Sequence, residues 1–160
     1  MKKSIKATVA PGTRKSMRSN RSRDTRPELA LRRALWGAGL RGFRKNLRTL
    51  PGKPDIVFTK HKLCVFVHGC FWHGCAKCAE RRNLRPATNR DYWQSKLHTN
   101  QRRDAIATES LQGAGWQVLV VWECEIKSSV GLAVSTISQA LCLDQDASQI
   151  QSRRATPDGL

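Results

Sequence analysis

Residues 63–67, Leu-Cys-Val-Phe-Val, form an unbroken apolar run rich in β-formers, and that run constrains the fold more than any other feature of the chain. A short continuous apolar segment of this kind suits a strand covered on both faces. The run Gln117–Trp122 has the same character. Asp55–Thr59 reads as a third strand, opened by the turn Pro51-Gly-Lys-Pro54 and joined to the first run by the tight loop Lys60-His-Lys62. Gly42–Leu47 reads as a fourth. With helices before, between and after the strands, this order predicts an α/β domain, a mixed sheet covered by helices.

The first helix should begin at Thr25-Arg-Pro-Glu28. Thr25 as N-cap and Glu28 three residues on match a capping box, and Pro27 is tolerated in a first turn. Leu29, Leu31, Ala34, Leu35 and Trp36 supply its apolar face, and Gly37 and Gly39 stop it. Arg90–Gln112 reads as a second helix, with Trp93, Leu97, Ile106 and Leu111 turned inward and Gly113 and Gly115 closing it. Val130–Leu143 reads as a last amphipathic helix, and residues 69–90 as irregular. The expected organisation is a flexible basic arm over residues 1–23, one domain over 24–143, and a disordered tail over 144–160.

Charge narrows the partner. The chain carries 29 Lys/Arg against 12 Asp/Glu, a net charge of +17. Residues 1–53 hold 16 basic and two acidic residues, whereas residues 113–160 hold three and five. A surplus concentrated in this way points to a polyanion, because cations that neutralise phosphates release counterions. Arg18, Arg21 and Arg23 of the arm are the candidate phosphate contacts. No apolar run approaches the roughly 18 residues of a membrane span, and the N-terminus lacks the apolar core of a secretory signal. A cytoplasmic protein is expected, with its six cysteines in a reducing compartment and available for metal or burial rather than disulfides.

Two clusters carry chemistry. Cys70, Cys75 and Cys78, with Cys124 downstream, have the spacing and polar setting of a structural zinc site, and four thiolates make it a closed one. Cys64 and Cys142 lie in apolar settings and read as core. In the second cluster, Asp55 opens one strand of a hairpin and His68 closes the next, with His73 shortly after. A carboxylate at a sheet end suits Mg²⁺, and a neighbouring neutral histidine can move a proton during phosphate chemistry. Taken singly, Asp55 fits a turn residue and each histidine a zinc ligand or a solvated loop residue. Phe71-Trp72, adjacent aromatics between the histidines, fit either core packing or a wedge between base pairs.

Met17-Arg18, Arg23-Asp-Thr25, Leu50-Pro-Gly-Lys-Pro-Asp-Ile56, Val67-His-Gly-Cys-Phe-Trp-His-Gly-Cys75, Tyr92-Trp93 and Val118-Leu-Val-Val-Trp-Glu-Cys124 resemble the very short patch repair (Vsr) mismatch endonucleases, over roughly residues 14–126. The resemblance implies a restriction-endonuclease-like fold with a zinc knuckle. It also implies an enzyme that nicks one strand 5′ of the thymine in a T:G mismatch left by deaminated 5-methylcytosine. On that likeness Asp55 is the catalytic Mg²⁺-binding aspartate, with the Val67 backbone carbonyl as a second metal ligand. His73 is the catalytic histidine, His68 a second active-site histidine, and Asp104 its acidic support. Glu28 is an acid near the metal, a role that competes with its helix cap. Phe71, Trp72 and Met17 match residues that intercalate beside the mismatch.

The chain departs from the wider nuclease pattern, because the strand ending at Val67-His68 has no Glu-x-Lys. Val67 stands where some relatives have Thr, and Cys75 where some have His. A T:G duplex is the implied partner, with a monomeric, bacterial, nucleoid-associated enzyme and a polymerase and ligase to finish repair. The alternatives are a zinc-containing module that binds distorted DNA without cutting it, and a nuclease of the same fold with another DNA target.

Overall fold

A computed structural model describes residues 23–82 and 89–154. Arm residues 1–22, including Met17, Arg18 and Arg21, and the end of the tail, residues 155–160, lie outside them. Four strands form one sheet in the order β1 (Arg44–Lys45), β2 (Ile56–Phe58), β3 (Leu63–His68), β4 (Gln117–Trp122). β1–β2 and β2–β3 are antiparallel, and β3–β4 is parallel. The sheet is therefore mixed, as expected. A parallel neighbour requires a long crossover, and residues 69–116 supply it.

The helices are α1 (Arg26–Gly37), α2 (Cys70–His73), α3 (Ala76–Arg82), α4 (Arg90–Gly113) and α5 (Glu123–Arg154). Leu31 and Leu35 of α1 and Ile126, Ala133, Ile137 and Leu141 of α5 pack with Ile56, Phe58, Leu63 and Val65. On the other face Val57, Cys64 and Phe66 pack with Leu111 of α4. The alternation along β3 thus sends odd residues towards α1 and α5, and even residues towards α4. His68 is even. It therefore points to the same side as α4, which carries Asp104.

Several expectations change. Leu29 and Trp36 are exposed, and the Arg41 guanidinium stacks over the Trp36 ring at 4.8 Å. Leu31 and Leu35, spaced i and i+4, carry the burial of α1. Ile106 is 54% exposed, and Ala107 takes the inward position. Residues 69–82 are largely helical, as α2 and α3, because short turns are held from outside by the cysteine cluster and α4. β4 is an edge strand with Val121 its one buried residue, so its apolar run does not mean burial on both faces. Of Gly42–Leu47 only Arg44–Lys45 joins the ladder. Cys142 is exposed, whereas Cys64 is core. Helix α5 is longer than Val130–Leu143, but Ser129 breaks it with extended backbone, φ −158°. The Leu132 N–H donates to Ser129 Oγ at 3.4 Å, so Ser129 caps a fresh helix that starts at Val130.

Gly52 fixes where β2 begins. Its φ is +69°, and a Cβ there would sit 2.7 Å from Ala107 Cβ and 3.1 Å from the Phe66 ring. Gly52→Ala combines left-handed backbone strain with overpacking, and should cost about 2–4 kcal/mol. Urea unfolding should show this as a lower midpoint at unchanged slope. A loss below about 1 kcal/mol would mean that the turn moves aside freely.

Candidate active site and metal centre

The sheet register assembles both clusters. Asp55 donates its N–H to Val65 O at 3.1 Å, and Asp55 Oδ2 accepts the Val67 N–H at 2.7 Å. The carboxylate is thus pinned to the end of β3, one residue from His68. Burial, reinforced by the charge of Glu28, pushes its pKa up to about 6 against the opposing Val67 N–H and Arg32. Pro54, fully buried, anchors the approach.

His68 is buried, and burial followed by the nearby His73 pushes its pKa down to about 4. It is therefore a neutral imidazole near pH 7. Its ring stacks on His73 with centroids 4.0 Å apart and meets Trp122 edge-on at 5.4 Å. His73 ends α2, where Gly74 at φ +73° turns the chain against Leu97 and Gln101 of α4. His73 Nδ1 lies 2.6 Å from Asp104 Oδ2. A carboxylate can only accept, so Nδ1 carries a proton, and in the neutral ring Nε2 keeps its lone pair. This pair has the form of a base oriented by an acid. His68, His73 and Asp104 place their ligand atoms within 4.8 Å of one another.

Glu28 is buried at the start of α1 and occupied on both oxygens. Oε2 accepts the Asp24 N–H at 2.9 Å and Arg32 Nη2 at 2.7 Å, and Oε1 accepts the Thr25 hydroxyl at 2.7 Å. The capping box is thereby altered: Thr25 gives its hydroxyl proton to Glu28 and makes no bond to a helix N–H. Arg32, itself only 8% exposed, also reaches Asp24. Arg32 escaped the sequence reading, although its i,i+4 spacing from Glu28 is a visible signal.

An open cleft of about 1720 Å³ runs past Glu28, Asp55, His68, His73 and Asp104. Trp72 and Glu123 also line it. Glu123 is a second residue not foreseen. It directly follows β4, and its signal is the register: His68 pairs with Trp122, so Gly69 and Glu123 come next on parallel strands. Phe71 and Trp72 are half-buried rather than on a free loop. They form an aromatic cluster with Trp93, at centroid distances of 5.2 and 6.1 Å, and Tyr92 extends it. Arg23 lies on the cleft wall.

The same register builds the cysteine site. Cys70 and Cys124 each stand two residues beyond the His68–Trp122 pair, which brings two distant thiols side by side. Cys75 directly precedes α3 and Cys78 lies in its first turn, and all four sulfurs lie within 4.8 Å of one another. Cys75 and Cys124 Sγ are 3.8 Å apart. The edge of a tetrahedron with metal–sulfur bonds of about 2.3 Å is about 3.8 Å. Burial pushes the Cys70 and Cys124 thiols up. At Cys75 burial is outweighed by the Cys78 N–H and the neighbouring thiols, which hold it low. The donor set fits a closed tetrahedral metal site.

A family model described as DNA mismatch endonuclease Vsr matches residues 8–80. The chain is 41% identical over 140 residues to the type II nicking enzyme V.NmeDIP of Neisseria meningitidis serogroup C, covering 88% of this chain and 93% of that one. It is 38% identical over 127 residues to the DNA mismatch endonuclease Vsr of Escherichia coli, covering 79% of each. The chain belongs to the Vsr family of DNA mismatch endonucleases. Another relative, the type II nicking enzyme V.NaeI of Lentzea aerocolonigenes, is 44% identical over 137 residues, 82% of this chain and 80% of that one. The fold is accordingly restriction-endonuclease-like. The Vsr model stops at Glu80, but a 140-residue match within 160 residues must take in Asp104 and Cys124. No helix among the described residues is long and apolar enough to cross a membrane.

Proposed function

We propose that this Vsr-family enzyme nicks one DNA strand 5′ of the thymine in a T:G mismatch, acting as a monomer in the bacterial cytoplasm at the nucleoid. The observation that carries this reading is the convergence of Asp55, His68 and the His73–Asp104 pair on one cleft. A module that only binds DNA needs none of these. Asp55 and the Val67 carbonyl would hold Mg²⁺, and a buried carboxylate fixed by one backbone N–H suits a hard cation. When bound, Mg²⁺ supplies positive charge to a phosphate that gathers negative charge in the transition state.

His73 Nε2 takes the proton of the water whose oxygen attacks the phosphorus, the P–O3′ bond breaks, and the departing 3′ oxygen takes up a proton from solvent, while Asp104 positions the ring and stabilises the imidazolium. His68, neutral and stacked on His73, leaves that new positive charge unopposed by a second cation. Glu28 holds the start of α1 beside the metal carboxylate, so cap and site roles coincide in one residue. Trp72 on the cleft and Phe71 behind it, together with Met17, would wedge open the mismatched step. Arg18, Arg21 and Arg23 would grip phosphates from the arm. Cys70, Cys75, Cys78 and Cys124 would hold Zn²⁺. A polymerase and a ligase would complete repair.

The test is incubation with Mg²⁺ and end-labelled duplexes carrying T:G, C:G or T:A at one position. A nick confined to the T:G duplex, 5′ of the thymine, is expected. Several relatives are named as type II nicking enzymes. Equal nicking of the paired duplexes would therefore favour a same-fold nuclease with another target. Asp104→Asn should leave binding intact and slow nicking about a hundredfold, the lower range for loss of a general base in position. Full activity in this variant would remove Asp104 from the mechanism.

A further inference from the structure

The acids of the cleft are engaged, and several of its cations are not. Arg32 bridges Asp24 and Glu28, His73 holds Asp104, Lys127 holds Glu123, and the Val67 N–H holds Asp55. Arg48, Lys53 and Arg103 line the same cleft and are exposed. Among the described residues their side chains make no hydrogen bond or ion pair.

Two of these cations flank one backbone contact. Gly52 packs directly on Ala107 of α4, and Lys53 is the next residue. Arg103 stands four residues before Ala107 and so shares its helix face. Lys53 itself is in the left-handed region at φ +54°. Its N–H is tied to Leu50 O at 3.1 Å, and the fully buried Pro54 follows. Such a conformation is strained for a residue with a Cβ. Here it presents an exposed ammonium at the cleft with no partner among the described residues.

We propose that Lys53 and Arg103 form a two-cation rim that grips two backbone phosphates, one per cation, beside the one that is cut. The inference rests on the reading of this cleft as the DNA site. It adds the residues that seat the strand over His73 and Asp104. The contact is to phosphate, so it should act equally on mismatched and paired DNA.

The experiment measures binding of a labelled, fully paired duplex without Mg²⁺ at salt from about 50 to 200 mM. Lys53→Gln and Arg103→Gln should each reduce the slope of log K against log salt by about 0.9, and the double variant by about twice that. Over this range each variant should lose about threefold less affinity than the parent. Lys53→Arg should restore the slope, and melting temperatures should stay within a degree or two. Lys60→Gln, an exposed cation away from the cleft, should leave the slope unchanged. Unchanged slopes in the rim variants would overturn the rim. So would an equal fall in Lys60→Gln, which would make the effect one of bulk charge. Because the duplex is paired and uncut, slopes remain readable if nicking fails. A parent that binds steeply but never nicks would sink the nuclease reading and leave the rim standing.

Discussion

Asp55→Asn is expected to abolish nicking and, in Mg²⁺-free buffer near pH 8, to make the protein more stable. Both effects come from one carboxylate held in a buried place. If Asp55 holds the metal as proposed, its loss removes several kcal/mol of transition-state stabilisation, which is about a thousandfold or more in rate. The stability gain follows from the raised pKa. The folded protein binds the Asp55 proton more tightly than the unfolded chain, so the group is neutral and costless below about pH 4. The cost grows as pH rises through about 6 and is constant above it. A shift from 3.8 to about 6 corresponds to about 3 kcal/mol at most. Asparagine keeps an oxygen for the Val67 N–H and never ionises. Urea melts of parent and variant should therefore coincide near pH 4 and diverge by pH 8, with the variant ahead. No chelator is used, since it would also strip the cysteine site. An Asp55→Asn protein that nicks at the parent rate would exclude Asp55 from the chemistry. A stability difference equal at both pH values would mean the carboxylate is not held as the structure shows.

Cys78→Ser is expected to release about one zinc per chain and to silence the enzyme while the sheet persists. The cysteine cluster packs on Trp122 and on itself, apart from the two sheet cores. Yet α2 runs from Cys70 to His73, so one turn of helix links the cysteine cluster to the proposed base. Without metal the four thiols have little else to hold them, because structural zinc contributes its binding energy to folding directly. Amide exchange should accelerate across residues 70–79 and in the first turn of α5, while β3 stays protected. Metal analysis should find zinc in the parent and much less in the variant. Full nicking by a zinc-free variant would show that His73 is positioned by Asp104 and Gly74 alone.

The sequence made the central strands legible, together with the kinds of side chain gathered at their ends. Leu63–Val67 is a buried strand because five apolar residues in a row leave no polar face to show to water. The cysteine spacing and the Asp55–His68–His73 string name their own chemistry, since thiolates, carboxylates and imidazoles differ in what they bind. Periodicity misjudged α4 and β4. Ile106 and Val120 are apolar yet exposed, because which side of an element is covered depends on what packs there. Residues 69–82 read as irregular because their helices are held by distant partners rather than by local propensity.

Pairing across the sheet was decided by tertiary structure alone. Cys124 could be named as the fourth thiol from the sequence, but that it stands level with Cys70, and that Glu123 faces Gly69, could not. The parallel register of β3 and β4 sets both, and it is fixed by hydrogen bonds between residues more than fifty positions apart. Likewise Lys53 and Arg103, fifty positions apart, line one cleft because the chain at Gly52 packs against Ala107. Composition and spacing determine which groups the chain carries. Their distances, and hence their charge states and their use, follow from long-range packing that the unfolded chain does not contain.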